Sequence, residues 1–137
     1  MLLRPGEVLA PEAIWVYEIA VPRLQYFDSV LVYAKILDRP DYLSYAYAAV
    51  GRKDEAIREA LQWYERRTVA SNTWYGPFNL MVLTRTYIMV GEYEKAIANL
   101  DTLVNRPSFW SKAFLRVHPL FDPLRSNPRF QKLLNEN

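Results

Sequence analysis

The heptapeptide Gly51-Arg52-Lys53-Asp54-Glu55-Ala56-Ile57 returns as Gly91-Glu92-Tyr93-Glu94-Lys95-Ala96-Ile97, with Gly, Ala and Ile all displaced by 40 residues. A repeat of fixed period constrains a chain more than any single residue, because each copy is one supersecondary unit that buries its apolar face only by stacking on neighbours. Each Gly follows an apolar run, where a helix ends through a left-handed residue. Acidic residues open the segment after it, as the backbone dipole favours. Ala56 and Ala96 lie one turn further on, where a small side chain lets two helices of a hairpin approach closely. Ile57, Ala60, Leu61 and Tyr64 then form a helical stripe, as do Ile97, Leu100, Leu103 and Val104.

Prolines mark helix starts, since a missing N–H leaves no bond unmade in the first turn. Pro11, Pro22, Pro40, Pro77, Pro123 and Pro128 each precede an apolar-periodic stretch, and Asn127 before Pro128 has the makings of a cap. These signals predict helices near 11–20, 23–37, 41–50, 53–67, 77–90, 93–104 and 109–116, with short turns at 123–126 and 128–135. The aromatic–small alternation over Tyr42–Tyr47 mimics a strand, but its place before Gly51 in the repeat assigns it to a helix. No strand is expected. The fold class is all-α, in a single domain with paired helices at 11–37, 41–67 and 77–104 and a C-terminal cap at 109–135.

Whole-chain properties narrow the function classes. The 137 residues suffice for one core, and the net charge of +2 without a Lys/Arg stripe disfavours nucleic acid. Cysteine is absent, which removes disulfides, thiol nucleophiles and Cys-based zinc sites. The first residues lack the layout of a signal peptide, and no apolar run approaches the ~20 residues of a membrane span. The expectation is a cytoplasmic protein with no membrane partner.

The repeated residues resemble the tetratricopeptide repeat (TPR), a helix–turn–helix unit of about 34 residues with Gly at the turn and Ala in the second helix. Tyr47 and Tyr87, four residues before each Gly, match its aromatic position. Here the period is longer, and Ser71-Asn72-Thr73-Trp74-Tyr75-Gly76 is the natural place for the insertion. The run His118-Pro119-Leu120-Phe121-Asp122-Pro123-Leu124-Arg125-Ser126-Asn127-Pro128-Arg129-Phe130-Gln131-Lys132-Leu133-Leu134 is similar to the closing segment of bacterial TPR regions attached to regulatory proteins, with His118 where that segment usually has Asp. The resemblance covers about residues 41–137. It implies a right-handed stack of helical hairpins, an α–α superhelix, with C-terminal capping helices. Phe121, Leu124, Phe130, Leu133 and Leu134 would form a lid on the exposed face of the last repeat. Arg125 and Arg129, four residues apart across a helix break, are expected to bond the C-terminal carbonyls of the preceding helix, the alternative being that they sit in water.

The resemblance implies protein binding rather than catalysis. In TPR folds the first helix of each pair lines a concave groove, which assigns Asp41, Tyr45, Ala48 and Ala49 from one repeat and Phe78, Met81, Arg85, Ile88 and Met89 from the next. This set is apolar, with Tyr45 and Arg85 as polar handles, suited to a peptide segment, a partner protein or a second copy in a homodimer. The competing expectation is that the N-terminal helices or the C-terminal lid already fill the groove. Among the many aromatics most belong to the core, and those left over are candidates for contact. His118 is the only histidine and reads as a capping or surface residue, not a catalytic one. The pairs Asp54/Glu55 and Glu92/Glu94 sit at helix starts, where the dipole accounts for them. No Gly-rich phosphate loop, metal set or cofactor motif is present. Two further readings are a terminal regulatory segment of a larger bacterial kinase, adenylate cyclase or transcription regulator, and an RNA-binding helical repeat, the latter disfavoured by the charge.

Overall fold

The computed structural model describes residues 27–136, so the expected helix at 11–20 and the start of 23–37 lie outside the described residues. Among the described residues every regular element is helical: α1 (Phe27–Ile36), α2 (Pro40–Ala49), α3 (Lys53–Arg66), α4 (Tyr75–Met89), α5 (Tyr93–Val104), α6 (Lys112–Val117), a 3-10 helix (Pro119–Leu124) and α7 (Pro128–Asn135). The chain divides into two compact units, with the boundary between Trp63 and Tyr64 inside α3.

The two repeated glycines make the same bend. Gly51 and Gly91 have φ of 80° and 85°. After α2, the Gly51 N–H donates to Ala48 O at 3.1 Å and the Arg52 N–H to Tyr47 O at 2.9 Å. After α4, the Gly91 N–H donates to Ile88 O at 3.2 Å and the Glu92 N–H to Tyr87 O at 2.8 Å. This pair of bonds is the Schellman arrangement, which satisfies the last carbonyls of a helix through a left-handed residue. In both copies the carbonyl of the next residue, Arg52 or Glu92, accepts the first bond of the following helix from the fully buried Ala56 or Ala96.

A third bend has the same bonds without glycine. The Asp38 N–H donates to Lys35 O at 3.3 Å and the Arg39 N–H to Ala34 O at 2.8 Å, with Asp38 at φ 51°. Asp tolerates this region better than most residues. No added Cβ at Gly51 or Gly91 meets an atom within 4 Å, so a side chain there strains only the backbone. Gly51→Ala and Gly91→Ala should each lower stability by about 1 kcal/mol in urea denaturation. Gly91→Asn should cost less, because Asn enters the left-handed region more readily.

In the first unit, α1 packs against α2. From Pro40 to Ala48, α2 is buried on every side, as a helix of Ala, Tyr and Leu without a polar face must be. Its one acid is Asp41. By contrast, α3 buries only Ala56 and Ala60 among its charged residues.

The second unit repeats this contrast. The first helix of its pair, α4, buries Leu80, Leu83, Tyr87 and Ile88, and the buried Thr84 and Thr86 hydroxyls donate to Leu80 O at 2.7 Å and Val82 O at 3.0 Å. Packed on it, α5 is amphipathic and turns Ala96, Ile97, Leu100 and Leu103 inward. The start of α4 lies earlier than Pro77. Asn72 Oδ1 accepts the N–H of Trp74 at 3.1 Å and of Tyr75 at 2.7 Å, and Asn72 O accepts from the Gly76 N–H at 3.0 Å. The segment 71–76 therefore holds the cap and first turn of α4 rather than a free loop. Likewise α6 begins after Ser111, whose hydroxyl accepts the Phe114 N–H at 3.2 Å, so the helix expected at 109–116 is shorter and shifted.

The C-terminal segment closes this unit with an aromatic cluster. Phe121, Leu124 and Phe130 are fully buried, Leu133 is nearly so and Leu134 is half-buried. Phe121 stands edge-on to Trp110 at 5.2 Å and stacks with Phe130 at 6.4 Å between centroids. The 3-10 helix packs on α4, and α7 packs on both α5 and α6. Each buried Leu or Phe side chain contributes on the order of 2 kcal/mol by leaving water.

Candidate functional site

The residues assigned to a groove fall in both units. In the first, Asp41 and Tyr45 are buried, at 5% and 6% exposure, Ala48 is buried and Ala49 half-buried. Asp41 is held by the Arg39 fork, with Nε donating to Oδ1 at 2.9 Å and Nη2 to Oδ2 at 2.6 Å. The same guanidinium lies 4.1 Å over the Tyr42 ring and 5.2 Å from the centre of the Trp63 ring. Asp41 thus serves as the partner of a guanidinium that also lies against aromatic rings.

In the second unit, Phe78, Met81, Arg85 and Met89 are half-buried and Ile88 is buried. Their spacing of three or four places the half-buried four along one side of α4. The connection after α5 lies against that side. Phe109 meets Phe78 edge-on at 5.1 Å, and the Arg85 guanidinium lies 5.8 Å from the centre of the fully buried Trp110 ring. Part of this side is therefore already covered from within the chain.

What stays open is aromatic. Trp74 is 71% exposed and Phe109 73% exposed, and Phe78 sits between them, 6.4 Å from Trp74 and 5.1 Å from Phe109. Tyr75 is exposed next to Trp74, with the Arg67 guanidinium 4.5 Å above its ring. Scattered exposed apolar residues are ordinary, whereas a row of touching aromatic rings at the surface is not. Two connections hold the row in place. Asn72 fixes the backbone of Trp74 and Tyr75. Ser108 Oγ donates to Leu103 O at 3.1 Å and accepts the Trp110 N–H at 3.2 Å, which fixes the turn that carries Phe109. Periodicity could not single out Trp74 and Phe109; the position of Trp74 between stripes is a signal that could have set it apart from core aromatics, whereas Phe109 was expected to open the helix at 109–116.

The polar residues of the C-terminal segment are occupied with helix ends. Arg125 donates from Nη1 to Leu115 O at 3.1 Å, from Nη2 to His118 O at 2.9 Å and from Nε to Asp122 Oδ1 at 2.8 Å. It thereby caps the last carbonyls of α6. Lys112 and Arg116 of α6 donate in turn to the carbonyls of Glu136 and Leu134 at the end of α7. Arg129 pairs with Glu94, whose other oxygen accepts from Asn127 Nδ2 at 2.9 Å. These bonds from Asn127 and Arg129 hold the Glu94 carboxyl below its ordinary pKa. Glu55, of the other acidic pair, is bound by Arg52.

His118 caps the 3-10 helix: its Nδ1 accepts the Leu120 N–H at 3.1 Å, and its ring stacks on Phe114 at 4.7 Å. Burial, followed by the nearby Arg85 and Arg125 charges, lowers its pKa, against the opposing pull of Asp122. Nδ1 accepts only when unprotonated. A His whose folded pKa is depressed stabilises the fold fully above its unfolded pKa of about 6.5, and that contribution is lost as pH falls toward the folded value. Urea midpoints should drop between about pH 7.5 and pH 5.5. His118→Asn, which keeps an acceptor at the cap, should flatten that dependence.

Among the described residues no three His, Asp or Glu side chains gather as a metal site, and no helix is long and apolar enough to cross a membrane. Searches against protein-family models, curated proteins and solved structures each return no match for this chain.

Proposed function

We propose that this chain is a TPR-like stack of helical hairpins that acts as a non-catalytic protein-interaction module in the cytoplasm. Two Schellman bends of the same bond pattern, 40 residues apart, support the repeat. So does the shared contrast between a largely buried first helix and an amphipathic second helix. The lack of cysteine fits a reducing compartment. The binding assignment rests on one observation above all, the exposed row Trp74–Phe78–Phe109. Trp, Tyr and Arg dominate the energetics of protein interfaces, and rings already fixed by backbone caps lose little freedom on binding. Met81 and Arg85 extend the same side of α4 with one adaptable and one cationic side chain.

The test is affinity capture from the source cells with wild-type and Trp74→Ala/Phe109→Ala protein, compared by mass spectrometry. Both replaced side chains are mostly in water, so helical content by circular dichroism should be unchanged. Proteins retained by the wild type should be depleted at least about ten-fold by the double variant, the loss expected of two interface anchors. Equal recovery with both proteins would remove this surface from the function.

A further inference from the structure

The two segments that carry the aromatic row hold more cations than acids. Residues 64–78 and 105–110, which carry Trp74, Tyr75, Phe78 and Phe109, contain Arg66, Arg67 and Arg106 and a single acid, Glu65. All three arginines are exposed. Arg67 lies 4.5 Å above the ring of Tyr75, the residue after Trp74, and Arg106 lies three residues before Phe109 in the same connection. Lys112, Arg116, Arg125 and Arg129 are each bound to a carbonyl or a carboxylate of the fold.

From this complementarity we propose that the row Trp74–Phe78–Phe109 with Arg67 and Arg106 receives an acidic peptide segment carrying apolar anchors. The inference rests on the interaction reading above and adds the chemistry of the partner. Apolar or aromatic side chains of the segment lie against the rings, where two neighbouring anchors remove Trp74 and Phe109 from water. Its carboxylates meet the guanidinium groups at the flanks. Arginine suits this role, because its planar fork takes a carboxylate in two parallel bonds while its face stays on an aromatic ring, as Arg67 lies on Tyr75. Charges at the edge of such a surface act mainly on encounter rate and selectivity, so binding falls as salt rises.

The experiment is selection of a random peptide library displayed on phage against the wild-type chain, with counter-selection on Trp74→Ala/Phe109→Ala. The expected peptides carry a net negative charge and at least two apolar residues. Their binding by fluorescence anisotropy should weaken about ten-fold from about 50 mM to about 500 mM salt. Arg67→Ala/Arg106→Ala should weaken binding several-fold and remove most of that salt dependence. Enrichment of neutral or basic peptides that depend on the row would overturn the acidic partner and leave the interaction reading standing. Absence of any row-dependent peptide would overturn both. Two results assign the surface elsewhere and likewise overturn the proposal. One is sedimentation of the wild type, but not the double variant, with phosphatidylserine vesicles while no peptide is enriched. The other is a homodimer by light scattering that Trp74→Ala/Phe109→Ala dissociates.

Discussion

Phe121→Ala should destabilise the 64–137 unit by about 4 kcal/mol, the range of a large aromatic removed from a closed core. Phe121 is fully buried, and it is the common neighbour of the rings that close the unit. It meets Trp110 at 5.2 Å, Phe114 at 6.0 Å, His118 at 6.2 Å and Phe130 at 6.4 Å. Aromatic pairs at such distances add to the transfer term, so the truncation loses both. The void cannot close cheaply. His118 at the front of the 3-10 helix and Arg125 behind it fix the segment to helix ends. A loss of that size is a large share of the 5–15 kcal/mol typical of a whole domain. Urea denaturation should show it directly, together with a collapse of the near-ultraviolet dichroism of the buried Trp110. Phe121→Leu keeps most of the volume and should cost about 1.5 kcal/mol or less. A shift for Phe121→Ala no larger than that for Phe121→Leu would mean that the ring is not the centre of this core.

The burial of the C-terminal apolar residues was legible because its chemistry is local. Asn127 and Pro128 mark a helix start, and Phe121, Leu124, Phe130 and Leu133 are too apolar to stay in water once the segment folds back, whereas the turn expected at 123–126 from Pro123 is a 3-10 helix that begins at Pro119 and holds Pro123 inside it. The glycine bends were legible for a similar reason, since a left-handed residue after an apolar run has few other uses. Asp38 shows the limit of that signal. It makes the same bend, but Asp occurs in many contexts and nothing in the letter marks the φ of 51°. Asn72 and Ser111 were hidden behind the stronger cue of proline or an aromatic, so α4 and α6 begin elsewhere than expected.

The candidate site was less legible than the fold, and the reason is physical. Helical periodicity reports which residues share a side of a helix, not what covers that side. Asp41 and Tyr45 share a side of α2 as the spacing requires, yet both are buried, and Asp41 neutralises Arg39. Phe78 and Arg85 share a side of α4, and Phe109 and Trp110, expected to open a helix at 109–116, reach that side from the connection before α6. The open surface is then built from residues at the margins of the helical pattern, Trp74 before α4 and Phe109 after α5. A surface made of connection residues is held by caps and turns, which links its geometry to the stability of those turns.

Gly76 is where that link is tightest, and Gly76→Ala should cost about 2–3 kcal/mol, the upper part of the range for forcing a group into packed structure. A Cβ at this position would stand 2.4 Å from Thr68 O, 2.6 Å from Thr68 C and 2.7 Å from Val69 Cα. All three are backbone atoms, so no side chain can swing aside. The Thr68 turn is itself pinned. Thr68 O accepts the N–H of Ser71 at 3.2 Å and of Asn72 at 2.9 Å, the Thr68 N–H donates to Ser71 Oγ at 2.9 Å, and the Val69 N–H donates to the Tyr64 hydroxyl at 3.3 Å. Relief therefore requires α4 to move away from residues 68–69, which breaks the bond from Gly76 N–H to Asn72 O and releases the cap that orients Trp74 and Tyr75. Gly76→Ala should thus lose more stability than Gly91→Ala, where only backbone conformation is at stake, and should weaken row-dependent binding as well. Denaturation of the two variants side by side, with binding measured under native conditions, tests both halves. If Gly76→Ala were the milder of the two, the close approach of α4 to residues 68–69 would be wrong, and the aromatic row would lose the support that holds it at the surface.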